Sequence, residues 1–341
     1  MKAVYFEKTG GSDVLRHGEL PTPNFGTQEA LIRVEACGVN HLDLWVRGGL
    51  PAPIPYPHIG GCEIVGRVAA KGPGARGIKI GQRVLVAPGI SCGKCSACKS
   101  NRDSQCPQFK IVGFQINGGF AEYAAVPAKN LIPVSGRWTP EQWAATPLVF
   151  LTAWHMLVTR AGLKKKETVL VQGAGSGIGT AAIQVAKYLG ARVIAVAGSD
   201  EKLKKARALG ADFTVNYAKS DFAKEVLKTT KDRGVDVVFE HVGPATWAGS
   251  IRCLGRGGRL VTCGATTGPK VELDLRFFYT KEISVTGCYM GSRKELNAVL
   301  ALLAKGKLKP VVGQVFPLAE TAKAQTTMEN RNFFGKLVIK V

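Results

Sequence analysis

From residue 168 onward strand and helix alternate, and no other feature of the chain limits its fold so tightly. Residues 168–172 read as a buried strand and 177–189 as a helix, with Ile178, Ala181, Ala182, Val185 and Leu189 recurring at helical spacing. Residues 192–197 are the next strand and 200–209 the next helix; 213–217, 235–240 and 259–263 continue the strands, 283–287 closes the sheet, and 295–304 is a further helix. Such alternation builds an α/β domain around a doubly wound parallel sheet. Before residue 150 the texture differs. Short apolar runs at 1–6, 30–34, 63–68 and 82–86 are broken by Gly and Pro, as in an antiparallel, barrel-like region. Residues 335–341 alternate like a strand and are expected to pair back into that region. The expected domains are therefore 1–150, with a cysteine lobe at about 88–110, then 151–288, then a return segment, 289–341. At 341 residues the chain has the length for two domains.

The turn Gly173-Ala174-Gly175-Ser176-Gly177-Ile178-Gly179 follows a strand and opens a helix. Glycine there lets the backbone approach a pyrophosphate, whose charge then sits on the helix N-terminus. The strict G-x-G-x-x-G spacing is not met, since Ile178 takes the last position. The context of strand, turn and helix carries the expectation that Gly175, Ser176, Gly177 and Ile178 bind a dinucleotide. A site for NAD usually ends its second strand on an acid that accepts from the ribose 2′-hydroxyl. Here the chain reads Ala197-Gly198-Ser199-Asp200-Glu201-Lys202. Ser199 and Lys202 suit a 2′-phosphate, whereas Asp200 and Glu201 suit the first turn of a helix. NADP(H) is expected rather than NAD(H).

Cys92, Cys95, Cys98 and Cys106 form C-x2-C-x2-C-x7-C in a loop of Gly, Ser and Lys. Four thiolates so spaced close a tetrahedral zinc site with no position left for substrate, so one structural Zn²⁺ per chain is expected. An iron–sulfur cluster is the weaker alternative. The nine cysteines, an odd number with four crowded together, point to a reducing cytoplasm rather than a disulfide framework. There is no N-terminal apolar export segment and no apolar run long enough to span a membrane. Lys plus Arg number 46 against 25 Asp plus Glu, a formal +21. That excess alone would admit nucleic acid as a partner. The cysteine lobe, however, offers only Lys94, Lys99, Arg102 and Lys110 and no basic recognition helix, so no specific nucleic-acid partner is expected.

Taken together, Glu35-Ala36-Cys37-Gly38-Val39-Asn40-His41-Leu42-Asp43, Pro57-His58-Ile59-Gly60-Gly61-Cys62-Glu63, the four-cysteine lobe and the glycine turn resemble the medium-chain dehydrogenase/reductase superfamily over nearly the whole chain. That superfamily includes zinc alcohol dehydrogenases and quinone oxidoreductases. The resemblance implies a GroES-like β-barrel followed by a Rossmann domain. It departs at the catalytic zinc. Zinc-dependent members carry Cys where this chain has Asn40 and His where it has Cys62, and alignment on Thr152 puts Leu148 at the third ligand. Cys62 and Glu63 alone are too few for a catalytic zinc. Leu42 also replaces the hydroxyl residue that passes on the alcohol proton.

Asn40 in that slot looks like the quinone oxidoreductase branch, which needs no metal. Asn40 and His41 are then the candidates for polarising and protonating a carbonyl, and Cys37 is a small buried residue. The resemblance further brings Thr152, Gly264, Ala265, Cys288 and Tyr289 to the nicotinamide, Val242 and Gly243 to line the cofactor cleft, Tyr217 near the adenosine phosphate, and Asn332 near the cleft from the return segment. His58, His155 and His241 read as packing residues, and Cys253, Cys263 and Cys288 as core. The expected activity is hydride transfer between NADPH and a small-molecule carbonyl compound, with an enone or quinone as the alternative. Leu42, Trp45, Ile54, Leu148 and Phe150 suggest a bulky, apolar substrate. A homodimer or homotetramer is expected from the family.

Overall fold

The computed structural model describes residues 1–341, which divide into two compact units. The first comprises residues 1–148, 292–297 and 310–341, and the second 149–291 and 298–309. The first unit runs to Leu148 before the second begins at Val149. The return segment does not belong wholly to the first unit: helix Arg293–Ala304 is divided between the two. Its apolar residues Leu296, Val299, Leu300 and Leu303 recur on successive turns and are all buried.

In the first unit β1 (Lys2–Tyr5) pairs with β2 (Arg16–Glu19). The long β3 (Glu29–Gly38) is the centre of the main sheet. It pairs antiparallel with β4 (Glu63–Lys71), which pairs with β5 (Arg83–Val86). Beyond them the two-residue strands β6 (Gly89–Ile90) and β7 (Lys110–Ile111) form the base of the cysteine lobe. Then β8 (Tyr123–Pro127) pairs with β3, and β9 (Leu131–Pro133) with β5. Along β3 the alternate residues Ala30, Ile32 and Val34 turn inward, as period-two patterning requires. They pack with Ile64, Val68, Val84, Val86, Phe120 and Val126 in one core.

The second unit holds β10 (Thr168–Val171), β11 (Arg192–Ala197), β12 (Phe213–Asn216), β13 (Val235–Glu240), β14 (Leu254–Thr262) and β15 (Ser284–Gly287). All pairs are parallel, in the order β12-β11-β10-β13-β14-β15. The order reverses between β10 and β13, and ligands of such sheets bind at the carboxyl edge near that reversal. Helices Gly177–Tyr188, Asp200–Ala208 and Phe222–Thr229 each start on a side-chain cap, from Ser176, Ser199 and Asp221. Strand β14 begins five residues before the expected 259, because Gly255, Gly257 and Gly258 carry the chain through a register shift and hide the apolar pattern. Of the three cysteines read as core, Cys253 is buried, but Cys263 and Cys288 lie half-buried just past the ends of β14 and β15.

The chain then supplies β16 (Val312–Pro317) and β17 (Lys336–Lys340) to the first unit. Strand β17 lies antiparallel to β3 with Val338 opposite Gly38, so the expected return pairing holds. No helix is long and apolar enough to cross a membrane.

Candidate active site

The second unit collects most of the expected cofactor residues on the carboxyl edge of its sheet. After β10 the chain turns sharply at Gly173, whose φ of 54° and closeness to His241 exclude a side chain: a Cβ there would lie 2.8 Å from the imidazole. The Ala174 amide bonds to the Val196 carbonyl at 2.9 Å, and Ser176 Oγ accepts from the Gly179 amide at 3.0 Å. A Cβ on Gly179 would sit 2.4 Å from the Gly173 carbonyl oxygen, so the helix and turn are as close as their backbones allow. The turn thus brings the backbone of Gly175, Ser176, Gly177 and Ile178 to the N-terminus of helix Gly177–Tyr188.

At the end of β11, Ser199 caps the next helix through the Lys202 amide at 3.3 Å. Tyr217, after β12, is half exposed and lays its ring over Gly198, where a Cβ would meet the phenol oxygen at 2.6 Å. The Asp200 carboxylate is tied to Asn216 Nδ2 at 2.7 Å and Lys219 Nζ at 2.5 Å, and both partners hold its carboxyl below the usual range. The last residue of β13 is a group that sequence reasoning missed. The fully buried Glu240 carboxylate accepts from the amides of His241, Val242 and Gly243 at 2.9, 2.6 and 3.2 Å. It also accepts from the hydroxyls of Thr246 and Ser250 at 2.9 and 2.8 Å. It therefore shapes the turn that carries Val242 and Gly243.

His241 donates from Nε2 to the Gln172 carbonyl at 3.0 Å, and its burial lowers its pKa, so it packs the glycine turn as a neutral ring. Thr267 Oγ1 donates to the Val242 carbonyl at 2.8 Å and so ties the loop of Gly264 and Ala265 to this turn. The Cys288 amide bonds to the Thr262 carbonyl at 2.8 Å, and Tyr289 follows it, half exposed. Thr152 is buried on helix Pro147–Trp154. Phe150, on the same helix, is 2% exposed and belongs to the core rather than to a substrate surface.

In the first unit the register of three neighbouring strands gathers a polar cluster. Gly38 lies opposite Glu63 on one side and Val338 on the other, so two residues further along Lys336 stands opposite Asn40. Period-two geometry puts Glu63, Asn40 and Lys336 on one face. Lys336 and Glu63 form an ion pair, 3% and 0% exposed. Lys336 Nζ donates to Asn40 Oδ1 at 2.5 Å, and Asn40 Nδ2 donates to Glu63 Oε2 at 2.9 Å. Nδ2 has only long contacts otherwise, 3.4 Å to Cys62 Sγ and to the Gly38 carbonyl. Glu63 Oε1 accepts from the Leu148 amide at 2.8 Å. Only glycine fits at position 38, where a Cβ would lie 2.6 Å from Glu63 Oε2 and 3.0 Å from Lys336 Cε.

Cys62 and Cys37 are buried, and burial pushes both thiols well above their ordinary pKa. Cys62 is thus a neutral thiol beside Asn40. His41 follows as the first residue of helix His41–Gly48, partly exposed, with its ring 6.2 Å from that of Trp45. His58 is buried and bonds through Nε2 to the Gly113 carbonyl at 3.2 Å, a packing role as expected. Asn332 is exposed on the loop before β17.

Asp43 joins the two loops of the cluster, accepting from the Asn40 amide at 2.7 Å and the Gly61 amide at 3.0 Å. Burial raises its carboxyl from 3.8 to about 6 against the pull of those two amides. A carboxyl whose folded pKa is raised contributes stability that is complete below about pH 4 and lost as pH rises through 6, on the order of 3 kcal/mol. Asp43→Asn should flatten that part of the pH–stability curve in chemical denaturation. An unchanged slope between pH 4 and 6 would exclude Asp43 as its source.

In the lobe the four cysteine sulfurs all lie within 4.8 Å of one another, with Cys92–Cys98 at 3.8 Å and Cys95–Cys98 at 3.5 Å. A zinc tetrahedron with arms of about 2.3 Å has edges of about 3.8 Å, so these sulfurs fit that ion. The Lys94 and Cys95 amides point at Cys92 Sγ from 3.4 Å and draw its thiol down to about 6.

Residues 26–136 match the alcohol dehydrogenase GroES-like domain family, and residues 177–305 the zinc-binding dehydrogenase family. The NAD-dependent alcohol dehydrogenase of Sulfolobus acidocaldarius is 33% identical over the whole of both chains. An acryloyl-coenzyme A reductase of Metallosphaera sedula is 31% identical over 99% of each, and the human quinone oxidoreductase 27% over 99% of this chain and 97% of its own. A crystal structure of an NAD-dependent alcohol dehydrogenase superposes with a TM-score of 0.96 at 43% identity, covering all of both chains. With the barrel, the doubly wound sheet, the glycine turn and the cysteine lobe all in place, the chain belongs to the medium-chain dehydrogenase/reductase superfamily of oxidoreductases.

Proposed function

We propose that the chain is an NADP(H)-dependent oxidoreductase that transfers hydride between NADPH and the carbonyl carbon of a bulky ketone or aldehyde, without a catalytic metal. One observation carries this reading: the positions of a catalytic zinc hold Asn40, Cys62 and Leu148, and Lys336 brings a cation of the chain's own to Asn40. When bound, NADPH supplies the hydride. Asn40 donates from Nδ2 to the carbonyl oxygen, because the hydrogen that now makes only 3.4 Å contacts is readily given to a better acceptor. His41 supplies the proton that turns the resulting alkoxide into an alcohol. The cradle from Gly175 to Ile178 takes the pyrophosphate. The loops of Gly264, Ala265, Cys288 and Tyr289, with Thr152, take the nicotinamide end, and Val242 and Gly243 line the cofactor site.

The preference for NADP(H) is supported by the end of β11. Asp200, the first acid after that strand, is turned to Asn216 and Lys219, and Ser199, Lys202 and Tyr217 are the groups proposed to receive a 2′-phosphate. The relatives that act on acyl-coenzyme A thioesters and quinones favour a second reading, reduction of a conjugated C=C bond or of a quinone. Fluorescence titration should show NADPH binding at least tenfold tighter than NADH; a preference for NADH would end the assignment. Incubation with NADPH and 2-cyclohexenone should yield the allylic alcohol, and the saturated ketone would favour the second reading.

The lobe holds its cysteines reduced and the metal it suits needs thiolates, which fits a cytoplasmic location. A homodimer or homotetramer is supported by the sheet edge at β15, near which Leu275 and Tyr279 are 68% and 69% exposed. Light scattering on the purified protein gives the mass, and a monomer would reject that assembly.

A further inference from the structure

We infer that Lys336 is a positioning residue for carbonyl reduction: an internal cation that fixes the Asn40 carboxamide and strengthens its Nδ2 hydrogens as donors. The inference rests on the role of Asn40 proposed above. Lysine is almost never buried, yet Lys336 is 3% exposed. A buried ion pair is a poor stabilising device, since apolar residues of similar volume often serve as well, so the pair calls for another use. The chain also makes room for it, by keeping a glycine at position 38.

The cluster decides which way the amide faces. An ammonium only donates and a carboxylate only accepts, so Lys336 requires Oδ1 on its side and Glu63 requires Nδ2 on the other. A charge-assisted bond to a carboxamide oxygen draws electron density from nitrogen to oxygen, which makes the N–H groups better donors. As hydride reaches the carbonyl carbon, negative charge grows on its oxygen. An Nδ2–H already oriented and polarised answers that charge without rearrangement. Glu63 and Asp43 are the carboxyl groups that share this pocket with the ammonium.

The test uses the full-length protein with its zinc, NADPH as donor and acetophenone or 2-cyclohexenone as acceptor. N40A should lose on the order of 100-fold in kcat. K336M should lose on the order of 10-fold, with NADPH affinity within about twofold of the parent protein, while K336R restores most of the rate. Lys336 acts through Asn40, so K336M/N40A should be no slower than N40A alone. Should K336M fail to fold, K336Q, which keeps a donor for Oδ1 without the charge, carries the same comparison. A signature independent of substrate is the side-chain NH₂ resonance of Asn40 in ¹⁵N-asparagine-labelled protein, assigned by its loss in N40A, which should move upfield in K336M or K336Q. Losses that multiply in the double variant, a charge-removing variant with the parent kcat, or an unmoved resonance would each overturn the role of Lys336. N40A at the parent rate would instead remove the role of Asn40 and this one with it.

Discussion

Glu63→Ala should lower the stability of the protein by about 3–5 kcal/mol, among the largest losses available to a single side chain outside the apolar core. Truncation leaves the Lys336 ammonium buried without its carboxylate. It also strands the Leu148 amide and leaves Asn40 Nδ2 with only its 3.4 Å contacts. Water cannot easily replace the lost carboxylate, because Glu63 is fully buried. Glu63→Gln, which keeps an acceptor for Leu148, should cost less. Most informative is the double change Glu63→Leu with Lys336→Met. Removing both charges should recover more than half of the single loss, since the cost lies in the orphaned charge rather than in the missing pair. Denaturant unfolding of the three variants reads this directly, and a loss below about 1 kcal/mol for Glu63→Ala would mean that the pocket admits water.

Loss of the lobe metal should have an effect at least as large, confined at first to one segment. The lobe has little of its own to hold it: Ala97 and Cys106 are its only buried apolar residues between 92 and 106, and its helix spans only Ser96–Lys99. Structural zinc sites contribute on the order of 10 kcal/mol to folding in small domains, so these residues should unfold without the ion. Cys98→Ala, or a strong chelator, should take zinc from one ion per chain to none and open Lys94, Lys99 and Arg102 to trypsin. The second unit should keep its helical circular dichroism. Two tightly held ions per chain would contradict the assignment of a structural site alone, and an uncleaved lobe would show that the segment folds without metal. Its ties to neighbouring segments of the first unit, such as Asp103 to the Arg293 amide at 2.6 Å, Lys129 to the Ser91 carbonyl at 2.5 Å and Asn130 Nδ2 to the Gly89 carbonyl at 2.7 Å, are too few to do so.

What could be read from the sequence was local. Strands β11 and β13 stand at the residues expected because each contains a contiguous apolar stretch, 193–197 and 237–239. The start of β14 was missed because four residues, three of them glycine, break its pattern. The cysteine lobe was legible because all four thiols lie within fifteen positions. Asn40 and His41 were visible as residues, but the cluster was not. Lys336 reaches Asn40 across a separation of 296 residues, through a register that only the assembled sheet sets. Glu240 escaped for another reason: its donors are all close in sequence, but nothing there shows that the turn wraps inward around the carboxylate.

The placement of the lobe has a physiological consequence. On the proposed reading the lobe zinc serves the architecture, while the charge beside Asn40 is a side chain that arrives with translation. When zinc is scarce, a cell should hold fewer copies of this protein, each turning over at its ordinary rate. Scarcity would act on abundance through proteolysis of the opened lobe, leaving the chemistry of each surviving molecule untouched.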